Sequence, residues 1–86
     1  MRKDWIWTDH IKRQMHERKI GENMVNSALS KPDNIVPSSS YRSIYQKLEF
    51  GKLIRVVTEG EKLITVYTTD KIDKYFKRSI IDYVDW

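Results

Sequence analysis

Two histidines, three strand-borne cations and two tyrosines are the groups in this chain that could handle an anion. His10 opens the stretch His10-Ile-Lys-Arg-Gln-Met-His-Glu-Arg18, while Arg42, Tyr45, Lys47, Arg55, Thr65 and Tyr67 fall in three strand-like runs downstream. Arginine presents a bidentate fork to phosphate, lysine a point charge, and tyrosine a flat face on which a base can stack. RNA can be cleaved without a metal because its own 2′-hydroxyl is the nucleophile. The protein then has to move two protons and stabilise the charge that builds on phosphorus, which fixed cations do best in a sheltered site. Arg55 is the first choice to hold the phosphate, supported by Lys47 and Arg42, with Tyr67 or Tyr45 donating the leaving-group proton. Histidine is the side chain suited to proton transfer near neutrality. On a helix His10 groups with Arg13, Gln14 and Glu17, whereas His16 falls near Lys12 and Lys19, so His10 is the better candidate. A structural role competes with each assignment, since tyrosine and threonine are favoured in strands for packing alone.

Other chemistries lack their signatures. His10 and His16 stand six apart instead of the i, i+4 of a zinc-binding helix, and Glu17 adds no third ligand at a familiar spacing. With no cysteine there is no thiolate, and three scattered glycines form no phosphate loop. No metal or cofactor is expected. Lys71, Lys74, Lys77 and Arg78 make a basic helix face that is either solvated or, with Lys74 foremost, a continuation of an RNA track.

The chain has 86 residues and carries a formal charge of +4. That length makes residues 1–86 one domain, which buries roughly 60–65% of its unfolded surface. Hydrophobic residues at 40% and charged residues at 33% are ordinary for a globular protein. The basic balance favours an acidic partner. Apolar runs fall far short of the roughly 20 residues of a membrane helix, and Met1-Arg-Lys-Asp-Trp-Ile-Trp7 does not resemble a signal peptide. A cytoplasmic protein that keeps away from membranes is expected, in line with the absence of cysteine.

The elements that must position these groups follow from pattern. Trp5-Ile-Trp7 reads as a short strand, and Thr8 or Asp9 as the cap of a helix running to about Arg18, with Ile11 and Met15 on its buried stripe. A second helix carries Met24, Val25, Ala28 and Leu29, with Ile20 and Val25 as a hydrophobic staple, and ends at Lys31-Pro32. Ile35-Val36 is briefly extended, and Pro37-Ser-Ser-Ser40 is a loop. Strands over Arg42–Glu49, Leu53–Glu59 and Leu63–Thr69 are joined by turns at Phe50-Gly51-Lys52 and Gly60-Glu61-Lys62 into an antiparallel meander. Taking Ile54, Val56, Ile64 and Val66 as the face under the helices puts Leu53, Arg55, Val57, Leu63, Thr65 and Tyr67 opposite. With Ile44 and Leu48 toward the helices, Tyr45 and Lys47 join that opposite face. From Asp70 a helix with Ile72, Tyr75, Phe76, Ile80 and Tyr83 is expected, and the tail from Ser79 to Trp86 either extends the sheet or covers an apolar patch. Trp5, Trp7 and Trp86 either form an apolar patch for a partner or dimer or complete the core.

The spaced residues His10, Arg13, Glu17-Arg18 and Ile20, then Val25, Leu29 and Pro32, then Arg55-Val-Val57 and Thr65-Val-Tyr67 resemble a widespread bacterial family of unknown function. Its members begin with a histidine-led helix ending in Glu-Arg-Gly-Ile and finish with Thr-Val-Tyr. That family is similar in turn to the BrnT and RelE/ParE toxins, which pack two helices on an antiparallel sheet. The resemblance covers about residues 7 to 76 through short motifs, with Lys19 where glycine is usual and Ile11 where alanine is usual. It implies an α+β, RelE-like fold and a toxin that cleaves or blocks RNA, on the ribosome or free, and is silenced by a small antitoxin protein. His10, Arg55 and Tyr67 carry over as matched positions only, because function transfers poorly within a fold. A noncatalytic RNA-binding or protein-interaction module on the same fold is the alternative, and a homodimer is compatible with either.

Overall fold

Of the two candidate caps, Thr8 and Asp9, it is Thr8 that starts the first helix. Its Oγ1 accepts from the Ile11 amide at 3.2 Å and donates to the Leu63 carbonyl at 2.7 Å, so one hydroxyl both caps the helix and ties it to the sheet. The computed structural model describes residues 4–39 and 41–72. These form β1 (Ile6–Trp7), α1 (Asp9–Arg18), α2 (Glu22–Ser30), β2 (Asn34–Pro37), β3 (Arg42–Glu49), β4 (Lys52–Glu59) and β5 (Lys62–Thr69). The helix expected beyond Asp70, with Lys74, and the tail to Trp86 lie outside the described residues.

The first helix ends at Lys19, whose φ of 54° and ψ of 47° are left-handed. Glycine would suit this position better, because the conformation costs a residue with a Cβ about 1–2 kcal/mol. Lys19→Gly is expected to stabilise the protein by about 1 kcal/mol, after glycine's greater unfolded-state entropy is subtracted. Urea denaturation checks this, and an unchanged or lower midpoint would contradict it. Ile20 then packs with Val25 across the start of α2, and both are buried.

The five strands lie in the order β1-β5-β4-β3-β2. β3 to β5 form the antiparallel meander that the pattern predicts, the extended segment at Ile35-Val36 pairs antiparallel with β3 as β2, and β1 adds a parallel edge, with Ile6 opposite Lys62 and Trp7 opposite Leu63. Ile11, Ile20, Val25, Ala28 and Leu29 from the helices meet Ile54, Val56, Leu63 and Val66 from the sheet. Trp5, Trp7, Met15, Met24 and Tyr45 pack around this core, with Trp5 edge-on to Tyr45 at 5.5 Å. Trp5 and Trp7 thus help complete the core. No helix among the described residues is long and apolar enough to cross a membrane.

Two face assignments made from alternation are corrected. The β3–β4 turn is only Phe50-Gly51, both at positive φ (53° and 77°), the geometry of a type I′ hairpin. It sets Lys47 opposite Ile54 and Tyr45 opposite Val56, so Tyr45 and Lys47 share the helix-facing side, and Ile44 and Leu48 take the other. In β5, Thr58 pairs with Leu63 while Val57 pairs with Thr65, which leaves Ile64 as the extra residue of a β-bulge. The bulge returns Leu63 to the helix side, where it is fully buried, and leaves Ile64 only half-buried.

α1 also shields the outer edge of β5. Gln14 Oε1 accepts from the Val66 amide at 3.3 Å, and Arg18 donates to the Val66 carbonyl at 2.8 Å. One i, i+4 pair on the helix therefore supplies both bonds a neighbouring strand would have made, which protects the edge from unwanted pairing. At the other edge, Pro37 of β2 has no amide proton to offer to a further strand.

Candidate functional site

Asn34, Gln46, Arg55 and Tyr67 stand opposite one another on β2, β3, β4 and β5, a single polar row running across the strands. Ile54 and Val56 belong to the core beneath the helices, so alternation turns Arg55 and its row to the other side of the sheet. The row is continuously hydrogen-bonded. Arg55 Nε donates to Gln46 Oε1 at 2.7 Å, Gln46 Nε2 donates to Asn34 Oδ1 at 2.7 Å, and an Arg55 terminal nitrogen donates to the Tyr67 hydroxyl at 2.5 Å. The guanidinium carbon lies 5.6 Å from the Tyr67 ring centroid, so the ring also meets the cation through its face.

Burial makes these bonds consequential. Gln46 is fully buried and Arg55 is 8% exposed, while Tyr67 and Asn34 are intermediate. A cation in such a place needs its protons accepted, and Gln46 meets that need with its oxygen while passing the demand to Asn34 through its nitrogen. Leu53, fully buried, and the half-buried Val57 flank Arg55 along β4 and lower the dielectric around it. A fixed guanidinium beside a phenol in such surroundings can hold an anionic oxygen and place a proton donor next to it.

The other expected site residues stand outside this hydrogen-bonded row. Tyr45 packs with Trp5 on the helix side. Lys47 reaches the Lys31 carbonyl just past the end of α2, at 3.1 Å. Arg42 pairs with Glu59 at 3.6 Å near the far ends of β3 and β4. Thr65 donates to Gln14 of α1. His10 is exposed at the start of α1, on the layer that covers the opposite side of the sheet from Arg55. The expected co-facial set of Tyr45, Lys47, Arg55, Thr65 and Tyr67 thus reduces to Arg55, Thr65 and Tyr67, with Arg55 and Tyr67 in direct contact and Thr65 bonded to Gln14. The β3 register is what removes Tyr45 and Lys47.

Gln46 and Asn34 were absent from that set. A signal existed in Gln46, the polar residue between Ile44 and Leu48 on one side of β3. Asn34 carries none, since only the β2 register brings it beside Gln46.

A family model described as a domain of unknown function, DUF4258, matches residues 7–74. The chain belongs to the DUF4258 family. The match runs from the end of β1 through β5 and includes the whole polar row, so the row lies inside the family domain. No curated protein and no solved structure matches this DUF4258 chain.

Proposed function

We propose that this DUF4258 protein is the toxin of a toxin and antitoxin pair, a metal-independent endoribonuclease acting on mRNA, free or on the ribosome. The observation that carries the proposal is the contact of the Arg55 guanidinium with the Tyr67 hydroxyl, held by Gln46. The resemblance of Arg55-Val-Val57 and Thr65-Val-Tyr67 to motifs of a family of unknown function, itself similar to the BrnT and RelE/ParE toxins, supports it. In this reading Arg55 engages the scissile phosphate as the 2′-hydroxyl attacks phosphorus and gives up its proton to solvent water. Negative charge gathers on the non-bridging oxygens beside the guanidinium, and the Tyr67 hydroxyl gives its proton to the departing 5′-oxygen, leaving a 2′,3′-cyclic phosphate. Tyr67 accepts from Arg55, so its own proton is directed elsewhere and serves as the donor. A small antitoxin protein covering this side of the sheet would silence it in the cytoplasm.

A second reading is a noncatalytic module that binds RNA or protein. Both histidines are exposed on α1, so neither supplies a general base beside Arg55, and the deep burial of Arg55 suits a positioning role. Inducing the wild-type chain and a folded Arg55→Ala variant in a bacterial host, with growth and RNA integrity followed together, separates the readings. Arrest with fragmented RNA for wild type alone is the expected result. Arrest with intact RNA would redirect the proposal to another target. A folded, fully toxic variant would remove Arg55 from the site, and binding without cleavage by the purified wild type would favour the module.

A further inference from the structure

We propose that Phe50 is a base-stacking contact for single-stranded RNA, placed at the tip of the hairpin that carries Gln46 and Arg55; this rests on the RNA-directed function proposed for that site. Phe50 is 85% exposed, so its ring contributes almost nothing to the core. It also occupies a position that disfavours it. Its φ is 53° in a two-residue turn whose first place is suited to asparagine, and a bulky residue in left-handed geometry is a genuine outlier. Exposure and an unfavourable backbone leave the ring available to a ligand, and its place at the tip of the hairpin that carries Arg55 is what singles it out.

Location and chemistry select the ligand. From Lys52, where β4 begins, to Arg55 is three strand steps, about 10 Å, so a strand held at Arg55 can lay a neighbouring base on the ring. Its neighbours in the chain are Glu49, Gly51 and Lys52, and among the described residues Leu48, 38% exposed, is the exposed large hydrophobic next to it in sequence. One isolated ring is far smaller than the roughly 1,000 Å² of a stable protein interface, yet it is what a single base needs. The net charge of +4 favours the polyanion as well. Tyr41 is an internal control, being equally exposed at 85% and left-handed with φ 63°, but next to Arg42 and opposite the Glu59 end of β4, remote from the tip.

The test uses the full chain and a 2′-O-methyl oligouridine, which cannot be cleaved, beside an abasic oligomer of equal length and charge. Phe50→Asn is expected to raise Tm by about 4–8 °C, because asparagine suits the turn. It is also expected to weaken oligouridine binding about tenfold and leave abasic binding unchanged, while Tyr41→Asn keeps wild-type affinity for both. Unaltered base preference in Phe50→Asn overturns the proposal, as does equal weakening by the two variants. Retained RNA affinity with loss of self-association would assign the ring to a protein contact and overturn it too. No oligouridine binding by the wild type would instead count against the RNA-directed function itself.

Discussion

Replacing Tyr67 by phenylalanine is expected, under the proposed function, to slow RNA cleavage by about 10²- to 10⁴-fold, the usual contribution of a positioned proton donor, with RNA affinity nearly unchanged. The substitution removes one oxygen and keeps the ring, so the face that meets the Arg55 cation at 5.6 Å is retained. What is lost is the hydroxyl that accepts from Arg55 and would protonate the leaving oxygen. Because Tyr67 is only partly buried, leaving one guanidinium proton without its acceptor costs stability modestly, on the order of 1 kcal/mol. Single-turnover cleavage at saturating RNA, with affinity measured in parallel, separates the two effects. Cleavage unchanged in the variant would sink the tyrosine as acid. Cleavage and affinity falling together would place Tyr67 in binding instead of proton transfer.

The second large effect concerns Gln46. Gln46→Leu fills nearly the same space but takes the acceptor from Arg55 Nε and the donor from Asn34 Oδ1, both at 2.7 Å in the intact row. Gln46 is fully buried and Arg55 nearly so, which limits how far water can replace the lost partner of the cation. The expected loss is about 2–3 kcal/mol, the range for a buried bond to a charged group. A domain of this length has roughly 4–13 kcal/mol in total, so Tm should fall by roughly 10–20 °C. Gln46→Glu keeps an acceptor for Arg55 and loses only the donor to Asn34, so it should be markedly milder. Thermal unfolding of the two variants checks the ordering. Equal losses, or none, would mean that the row does not hold Arg55. If the proposed function is right, RNA-directed activity should track Gln46 more steeply than stability does, since a guanidinium released from its partner no longer meets Tyr67 in one geometry.

The row also explains how a cation can be kept on a sheet whose neighbouring positions are Leu53 and Val57. Each member satisfies the next, and the terminal groups, Asn34 and Tyr67, are the ones closest to solvent. Partial satisfaction would be worse than an apolar row. This gives all four side chains one shared orientation and ties the β2, β3, β4 and β5 registers together at a single level.

The sequence by itself determined the elements and their order of packing. Thr8 was legible as a cap because a hydroxyl before an amphipathic run satisfies an otherwise unbonded amide. The α1 and α2 stripes were legible because Ile11 with Met15, and Val25 with Ala28 and Leu29, repeat at the helical period. Strand spans were legible in β-branched alternation, and Arg55 and Tyr67 were rightly placed together, since β4 and β5 alternate regularly through that level. Tertiary structure alone decided the rest. Alternation tells which residues share a face but not which face meets the helices, and one turn residue more or less inverts a whole strand; the two-residue Phe50-Gly51 turn sent Tyr45 and Lys47 to the helix side. The bulge at Ile64 moved Leu63 in the same way. The parallel edge of β1, the grip of Gln14 and Arg18 on Val66, and the meeting of Asn34 with Gln46 join residues distant in the chain. Such contacts arise only when the chain closes on itself, because no local period encodes which remote backbone a side chain will reach.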